Sequence, residues 1–299
     1  MSAFYHPITA TPFAQNESYM EFEPCEALKP YIKCFWGTKE PYRHRKTDIP
    51  TQGIVTPDTC VDIIFTVDFT NNRIDGVFCG IDDRTFTTYD VNDEEKVVSV
   101  FAIRFFAWCA VLFSEESMSH SRNAFFEVGH HFSKLQRVLL PCLFDITDME
   151  SRIRLAEEFL LKHFHSERKN TVIADAVLEL LKRKGNVEIG QLAKDIHTSS
   201  RHLERLFQEN IGISPKRLAS LVRYQYLWND ILFQPGFQVL DAVHQYGYTD
   251  QAHLLHDFKR FHGMNVKEAK EYAFKHGNSL SQKEPCETSR FFTISDLTF

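Results

Sequence analysis

One helical pattern occurs twice in this sequence, and that repeat constrains the chain more than any other feature. The first copy runs from Val187 to Lys216 as VEIGQLAKDIHTSSRHLERLFQENIGISPK, the second from Val239 to Glu268 as VLDAVHQYGYTDQAHLLHDFKRFHGMNVKE. Leu203, Phe207 and Gly212 of the first copy recur as Leu254, Phe258 and Gly263 of the second, at a constant offset of 51 residues. In each copy a short amphipathic stretch leads through a turn to a polar residue, Ser199 or Asp250, able to cap the helix that follows. Each of those second helices places a Leu and a Phe four residues apart, on one side of the helix. Short helix, tight turn and second helix make a helix-turn-helix, and two copies predict two DNA-reading units about one groove turn apart.

The rest of the chain reads differently. Residues 1–24 predict an irregular arm or an edge strand. From Lys29 to about Ala107, short runs rich in β-branched and aromatic residues are broken by Pro, Asp, Asn and Gly. The clearest runs are 31–37, 61–67, 76–81 and 97–106, with hairpin turns expected at Asn71-Asn72 and Asp82-Asp83. No helix-length pattern intervenes, so an antiparallel sheet or small barrel is expected rather than βαβ units. Helix resumes at 108–113, then at Phe132–Leu143 and Asp148–His165. In the last of these Ile153, Ala156, Phe159, Leu160 and Phe164 form a stripe that packs either on the sheet or against a second copy of the chain. The charged segment 165–170 reads as a linker, and everything from Thr171 as helix, including one long helix over 214–234 with Pro215 in its first turn. The expected class is therefore α+β: a β-rich regulatory domain with flanking helices (1–165), an all-α domain with two helix-turn-helix motifs (171–276), and a tail (277–299) that is either disordered or docks FFTISDLTF onto the first domain.

Bulk properties narrow the function. No apolar run approaches the roughly 20 residues that span a bilayer, and the N-terminal stretch lacks the basic and hydrophobic regions of a secretory signal, so a cytoplasmic protein without a membrane partner is expected. Seven widely spaced cysteines without a C-x-x-C pair read as reduced, mostly buried thiols rather than a zinc or disulfide framework. The formal net charge of −6 is unevenly divided: residues 171–276 hold 14 basic and 12 acidic residues, the remainder 20 and 28. That is a weak electrostatic footprint for a nucleic-acid partner, so the DNA reading rests on the motif.

Residues 171–276 resemble the double helix-turn-helix domain of the AraC/XylS family of bacterial transcription regulators. The resemblance is carried by Leu192-Ala193, by S-x-R-H-L-x-R-x-F from Ser199 to Phe207, by GISPK from Gly212, by the long linking helix and by GYTDQAHLLHDFKRFHG from Gly247 to Gly263. The first domain resembles that of a subset of the family through ALKPYIKCFWG, PDTCVDIIF and FAIRFFAWCAVLF. Three departures stand out. His197 replaces the usual turn glycine, Ala242-Val243 the usual Ile-Ala, and Asn265-Val266 the usual Thr-Pro. The resemblance implies an activator-type regulator that binds double-stranded DNA and works with RNA polymerase, with sensing of a small-molecule effector or homodimerisation in the first domain.

In that architecture the second helix of each unit lies in a major groove. Ser200, Arg201, Glu204 and Arg205 then face the bases in the first, and Gln251, Ala252, His253 and His256 in the second, with Lys216, Arg217, Lys259 and Arg260 set for phosphate. The alternative for each is a solvated helix-face side chain, or for Glu204 a pair with a neighbouring arginine. In the first domain Tyr31, Trp36, Asp62, Arg104 and Trp108 could line an effector pocket; alternatively, Asp62 and Arg104 form an ion pair. His130-His131 and His163/His165 do not share a helix face, so no metal site is expected, and no cofactor. The sequence carries no G-x-S-x-G, Walker A or H-E-x-x-H motif, so no enzyme is expected. Two alternatives stay open: a ligand- or partner-binding protein with a weak DNA face, and a DNA-repair-type protein using Cys60 or Cys109.

Overall fold

A computed structural model describes residues 5–8, 19–44, 51–90 and 94–276. The β-rich region holds strands β1 (Met20–Phe22), β2 (Ile32–Gly37), β3 (Tyr42–His44), β4 (Thr51–Val55), β5 (Cys60–Asp68), β6 (Arg73–Cys79), β7 (Phe86–Asp90), β8 (Lys96–Phe106) and β9 (Phe125–Glu127). All pair antiparallel: the main sheet runs β1-β2-β8-β5-β6-β9 with β3 also on β8, and β4 pairs β7 separately. The period-2 pattern sets the faces. Val61, Ile63, Phe65 and Val67 of β5 are buried, beside Phe105, Ile103 and Phe101 of β8, whereas Asp62, Ile64, Thr66 and Asp68 point to the half-buried face.

The apolar face is covered by α1 (Gly129–Leu139) and α2 (Met149–Lys162). Phe132 brings its ring against Phe78 and Phe105 of the sheet. Ala156, Phe159 and Leu160 of α2 are buried, with Ile153 and Phe164 packed against the same core, so the stripe expected as a possible dimer seam is used within the chain. Buried Arg152 fastens α2 by donating to the carbonyls of Ile146 and Leu143 and to Ser99 Oγ.

One turn expectation holds and three expectations need correction. Asn71-Asn72 does turn β5 into β6, with Asn72 left-handed at φ 50° and Asp68 accepting from Thr70 and Asn71 N–H. Asp82-Asp83 is no hairpin turn: β7 pairs β4, so this segment carries the chain from one sheet to the other. Residues 108–113 give only a single 3-10 turn at Ala110–Leu112. Segment 165–170 is no free linker either, since Arg168 donates to the carbonyls of Val111, Glu115 and Glu116 and His165 N–H to that of Leu112. The expectation for the tail, residues 277–299, lies outside the described residues.

The helical region holds α3 (Thr171–Lys182), α4 (Ile189–Asp195), α5 (Ser200–Ile211), α6 (Pro215–Phe233), α7 (Val239–Gln245), α8 (Gln251–His262) and α9 (Val266–His276). Helix α6 starts at Pro215 behind the cap Ser214 and buries Leu218, Leu221, Val222, Leu227, Trp228 and Ile231. No described helix is long and apolar enough to cross a membrane.

Candidate nucleic-acid interface

Each repeat folds into the same local construction. In the first, Glu188 caps α4 by accepting from Gly190 and Gln191 N–H, and Leu192-Ala193 are buried. The chain then turns through His197 at φ 55°, and Ser199 Oγ accepts from His202 N–H at 3.2 Å to open α5. In the second, Ala242-Val243 are buried on α7, Gly247 turns at φ 65°, and Asp250 accepts from His253 N–H at 2.7 Å to open α8. Both second helices close on a left-handed glycine, Gly212 at φ 87° and Gly263 at φ 78°. Leu203, Phe207, Leu254 and Phe258 are buried. Burying one side of α5 and α8 leaves the other side to solvent.

On α5 that outer side carries Ser200, Arg201, His202, Glu204, Arg205 and Gln208; on α8 it carries Gln251, Ala252, His253, Leu255, His256, Lys259 and Arg260. All eight base-facing candidates are thus exposed and stand on two equivalent faces. His202, Gln208 and Leu255 share those faces but escape a reading of single motifs. For Leu255 a signal did exist, since the 51-residue offset makes it the counterpart of Glu204.

The candidates divide by what already holds them. The side chains of Arg201, Glu204, Gln251, His256, Lys216 and Lys259 make no side-chain hydrogen bond or ion pair among the described residues. Glu204 is therefore not paired with a neighbouring arginine. Arg205 reaches one turn along its helix to both carboxylate oxygens of Glu209, at 2.8 Å each, and to His202 Nδ1. The His253 ring is drawn back over the turn, against Thr249 Oγ1 and edge-on to Tyr248.

Two of the four phosphate candidates are engaged elsewhere. Arg260 places Nε and Nη2 on buried Asp257, which also accepts from Arg223 and Tyr248. Arg217 pairs with Asp83 of the β-rich region, a carboxylate that Asn123 also holds. Burial alone would raise the Asp83 carboxyl, but hydrogen bonds from Asn123 and Arg217 outweigh it and hold it below its ordinary value.

That pair belongs to a wider junction between the two regions. The last carbonyls of a helix have no partner within it. Here the β-rich region supplies several donors. Thr85 gives both N–H (3.1 Å) and Oγ1 (2.7 Å) to the Phe261 carbonyl of α8, and Met118 N–H binds the Glu209 carbonyl of α5 at 2.8 Å. Gln225 of α6 donates to the Pro57 carbonyl and accepts from Ile8 N–H. The C-terminal turns of α5 and α8 are thus both tied to one body, while their N-terminal turns stay open.

The effector-pocket candidates do not form one cluster. Asp62 and Arg104 sit opposite one another on β5 and β8 and form a two-pronged ion pair at 2.9 and 3.0 Å; Trp36 Nε1 donates to the same carboxylate at 2.8 Å. Tyr31 instead packs with Phe113 and Phe164, and Trp108 stacks on Phe106 and touches Tyr5. His130 and His131 do meet, their Nδ1 atoms 3.3 Å apart, and Phe132 next to them departs from helical backbone. Burial pushes the thiols of Cys60 and Cys109 up, Cys109 to about 12, which disfavours the thiolate a methyl-accepting cysteine needs.

Comparison with known proteins adds two family matches: a model described as "Helix-turn-helix domain" over residues 192–272, and one described as "Domain of unknown function" over residues 20–127. The lactose operon transcription activator of Staphylococcus xylosus is 24% identical over 99 residues, which are 33% of this chain and 33% of that relative. Among solved structures, ToxT from Vibrio cholerae is similar with a TM-score of 0.40 at 15% identity, over 78% of this chain and 96% of that one. An AraC-type regulator from Chromobacterium violaceum is similar with a TM-score of 0.32 at 17% identity, over 34% of this chain and 90% of that one. The helix-turn-helix model is thus laid over both capped and glycine-closed helices, and the match assigns residues 192–272 to that domain.

Proposed function

We propose that this protein is a sequence-specific regulator of transcription that binds double-stranded DNA through two successive major grooves on one face of the duplex. Residues 171–276 act as the reading domain and residues 1–165 as the regulatory domain. The observation that carries the proposal is the pair of equivalent open faces: α5 and α8 each bury Leu and Phe and present unengaged polar side chains at their N-terminal turns. Helix α6, with 19 residues, is about 28 Å long. That suits two units set roughly one helical turn of DNA, about 34 Å, apart.

Arg201, Glu204 and Arg205 read from α5, and Gln251, Ala252 and His256 from α8. Lys216 and Lys259, the two phosphate candidates left unengaged, anchor the backbone. The regulatory domain acts by holding the C-terminal turns of both reading helices and the Arg217 guanidinium. An effector or a second copy of the chain that shifts those contacts would change how the readers are presented. The protein works in the cytoplasm.

Selection of binding sites from random duplex DNA with the full chain tests this reading, and paired boxes about 10 bp apart are the expected product. A second reading, a partner-binding protein with a silent DNA face, is favoured by one observation: Arg205, Arg217 and Arg260 are all paired with carboxylates of the chain itself. It takes over should no sequence be enriched at moderate salt.

A further inference from the structure

The two reading helices are equivalent in position but not in chemistry. Counted through the 51-residue offset, Arg201 corresponds to Ala252, Glu204 to Leu255 and Arg205 to His256. The α5 face is charged. Arginine pairs in two-pronged fashion with guanine O6 and N7, and a glutamate accepts from the cytosine amino group, so this face suits G·C pairs. On α8 the corresponding positions hold Ala252 and Leu255, both exposed and three residues apart, with Gln251 beside them. Leu255 is 37% exposed on a helix whose buried side is already filled by Leu254, Phe258 and Phe261. The one apolar group that B-DNA offers in its major groove is the thymine C5 methyl, and glutamine suits adenine.

We propose that Leu255, with Ala252, reads thymine methyl groups, so that the target is an asymmetric duplex: a G·C-rich box under α5 followed by a thymine-containing A·T-rich box under α8. The proposal rests on the DNA reading above and adds the substrate's composition and polarity. A site with unlike boxes fixes the orientation of the protein on DNA, which a palindrome would not.

Sites are first selected with the full chain, and the best duplex is then resynthesised with deoxyuridine, which lacks the methyl, in place of thymine in one box at a time. Deoxyuridine in the α8 box weakens binding by about threefold to fivefold at one position, the affinity equivalent of one buried methyl. In the α5 box it has no effect. Leu255→Ala abolishes the thymine–deoxyuridine difference at the base pair under Leu255 and leaves any difference under Ala252, and Leu255→Glu moves the base selected under Leu255 from thymine to cytosine. Two boxes of like composition, or a thymine–deoxyuridine difference at the base pair under Leu255 that survives Leu255→Ala, would overturn the inference and leave the DNA reading standing. No enriched box at all would sink the DNA reading, and this inference with it.

Discussion

His197 shows what a single residue can cost. It holds the same turn position as Gly247, and both are left-handed, at φ 55° and 65°. A side chain with a Cβ strains in that region by roughly 1–2 kcal/mol, which glycine avoids. His197→Gly is expected to stabilise the chain by about 1 kcal/mol in urea denaturation; a loss of stability would mean the imidazole contributes something its geometry does not reveal. At Asp62 and Arg104 the stakes are larger. Arg104 is buried, and removing Asp62 leaves its charge only the Tyr19 hydroxyl at 3.3 Å and the Glu21 carboxylate at 4.0 Å, so Asp62→Ala is expected to cost about 3 kcal/mol. Replacing both partners by apolar residues of like volume should restore much of that, and a double variant as unstable as the single one would contradict this account. His262 adds a pH dependence. Burial pushes its pKa from 6.5 to about 4, and its Nδ1 shares a 2.8 Å hydrogen bond with the Tyr224 hydroxyl. Because the folded pKa is depressed, the unfolded chain binds more protons between these values. Stability is therefore full above pH 6.5 and falls as the pH drops toward 4, by up to about 3 kcal/mol. Denaturation curves of wild type and His262→Gln across that window should diverge, and parallel curves would remove His262 as the cause.

At the scale of elements, most of the architecture was legible. Runs rich in β-branched and aromatic residues gave β2, β5, β6 and β8, and caps with the recurring glycines gave α5 and α8 almost to the residue, because those signals are local. What stayed hidden depends on partners distant in sequence. Asp82-Asp83 looks like any two-residue turn until β7 is seen to pair with β4, and Arg217 looks like a free cation until Asp83, 134 residues earlier, is seen beside it. Leu255 was legible in the repeat and missed because exposed leucines are commonplace. The reading faces make a direct prediction. Arg201, exposed and unengaged, should contribute a two-pronged base contact, so Arg201→Ala weakens the selected site by about 1–3 kcal/mol and relaxes preference at one base pair. Gel-shift titration against single-base variants measures both, and uniform weakening across sequences would reassign Arg201 to phosphate.

Across the whole molecule the junction ties α5, α6 and α8 to the β-rich region, and under the proposed function it sets how the two reading helices are presented. Asp83 holds Arg217, Thr85 holds α8, and Met118 holds α5, so one body grips both units at their far ends. Asp83→Asn weakens that grip and frees a guanidinium for phosphate. Each added phosphate contact steepens the dependence of log affinity on log salt by about 0.9. The variant should therefore bind the selected duplex severalfold more tightly at low salt with a slope steeper by about one; an unchanged slope would show that Arg217 stays off the DNA. The central claim, that two equivalent helices enter successive grooves, is met most directly by a hydroxyl-radical footprint of the full chain on its selected site. The account predicts two protected patches about 10 bp apart on one face of the duplex. A single patch, or protection spread evenly around the helix, would contradict it.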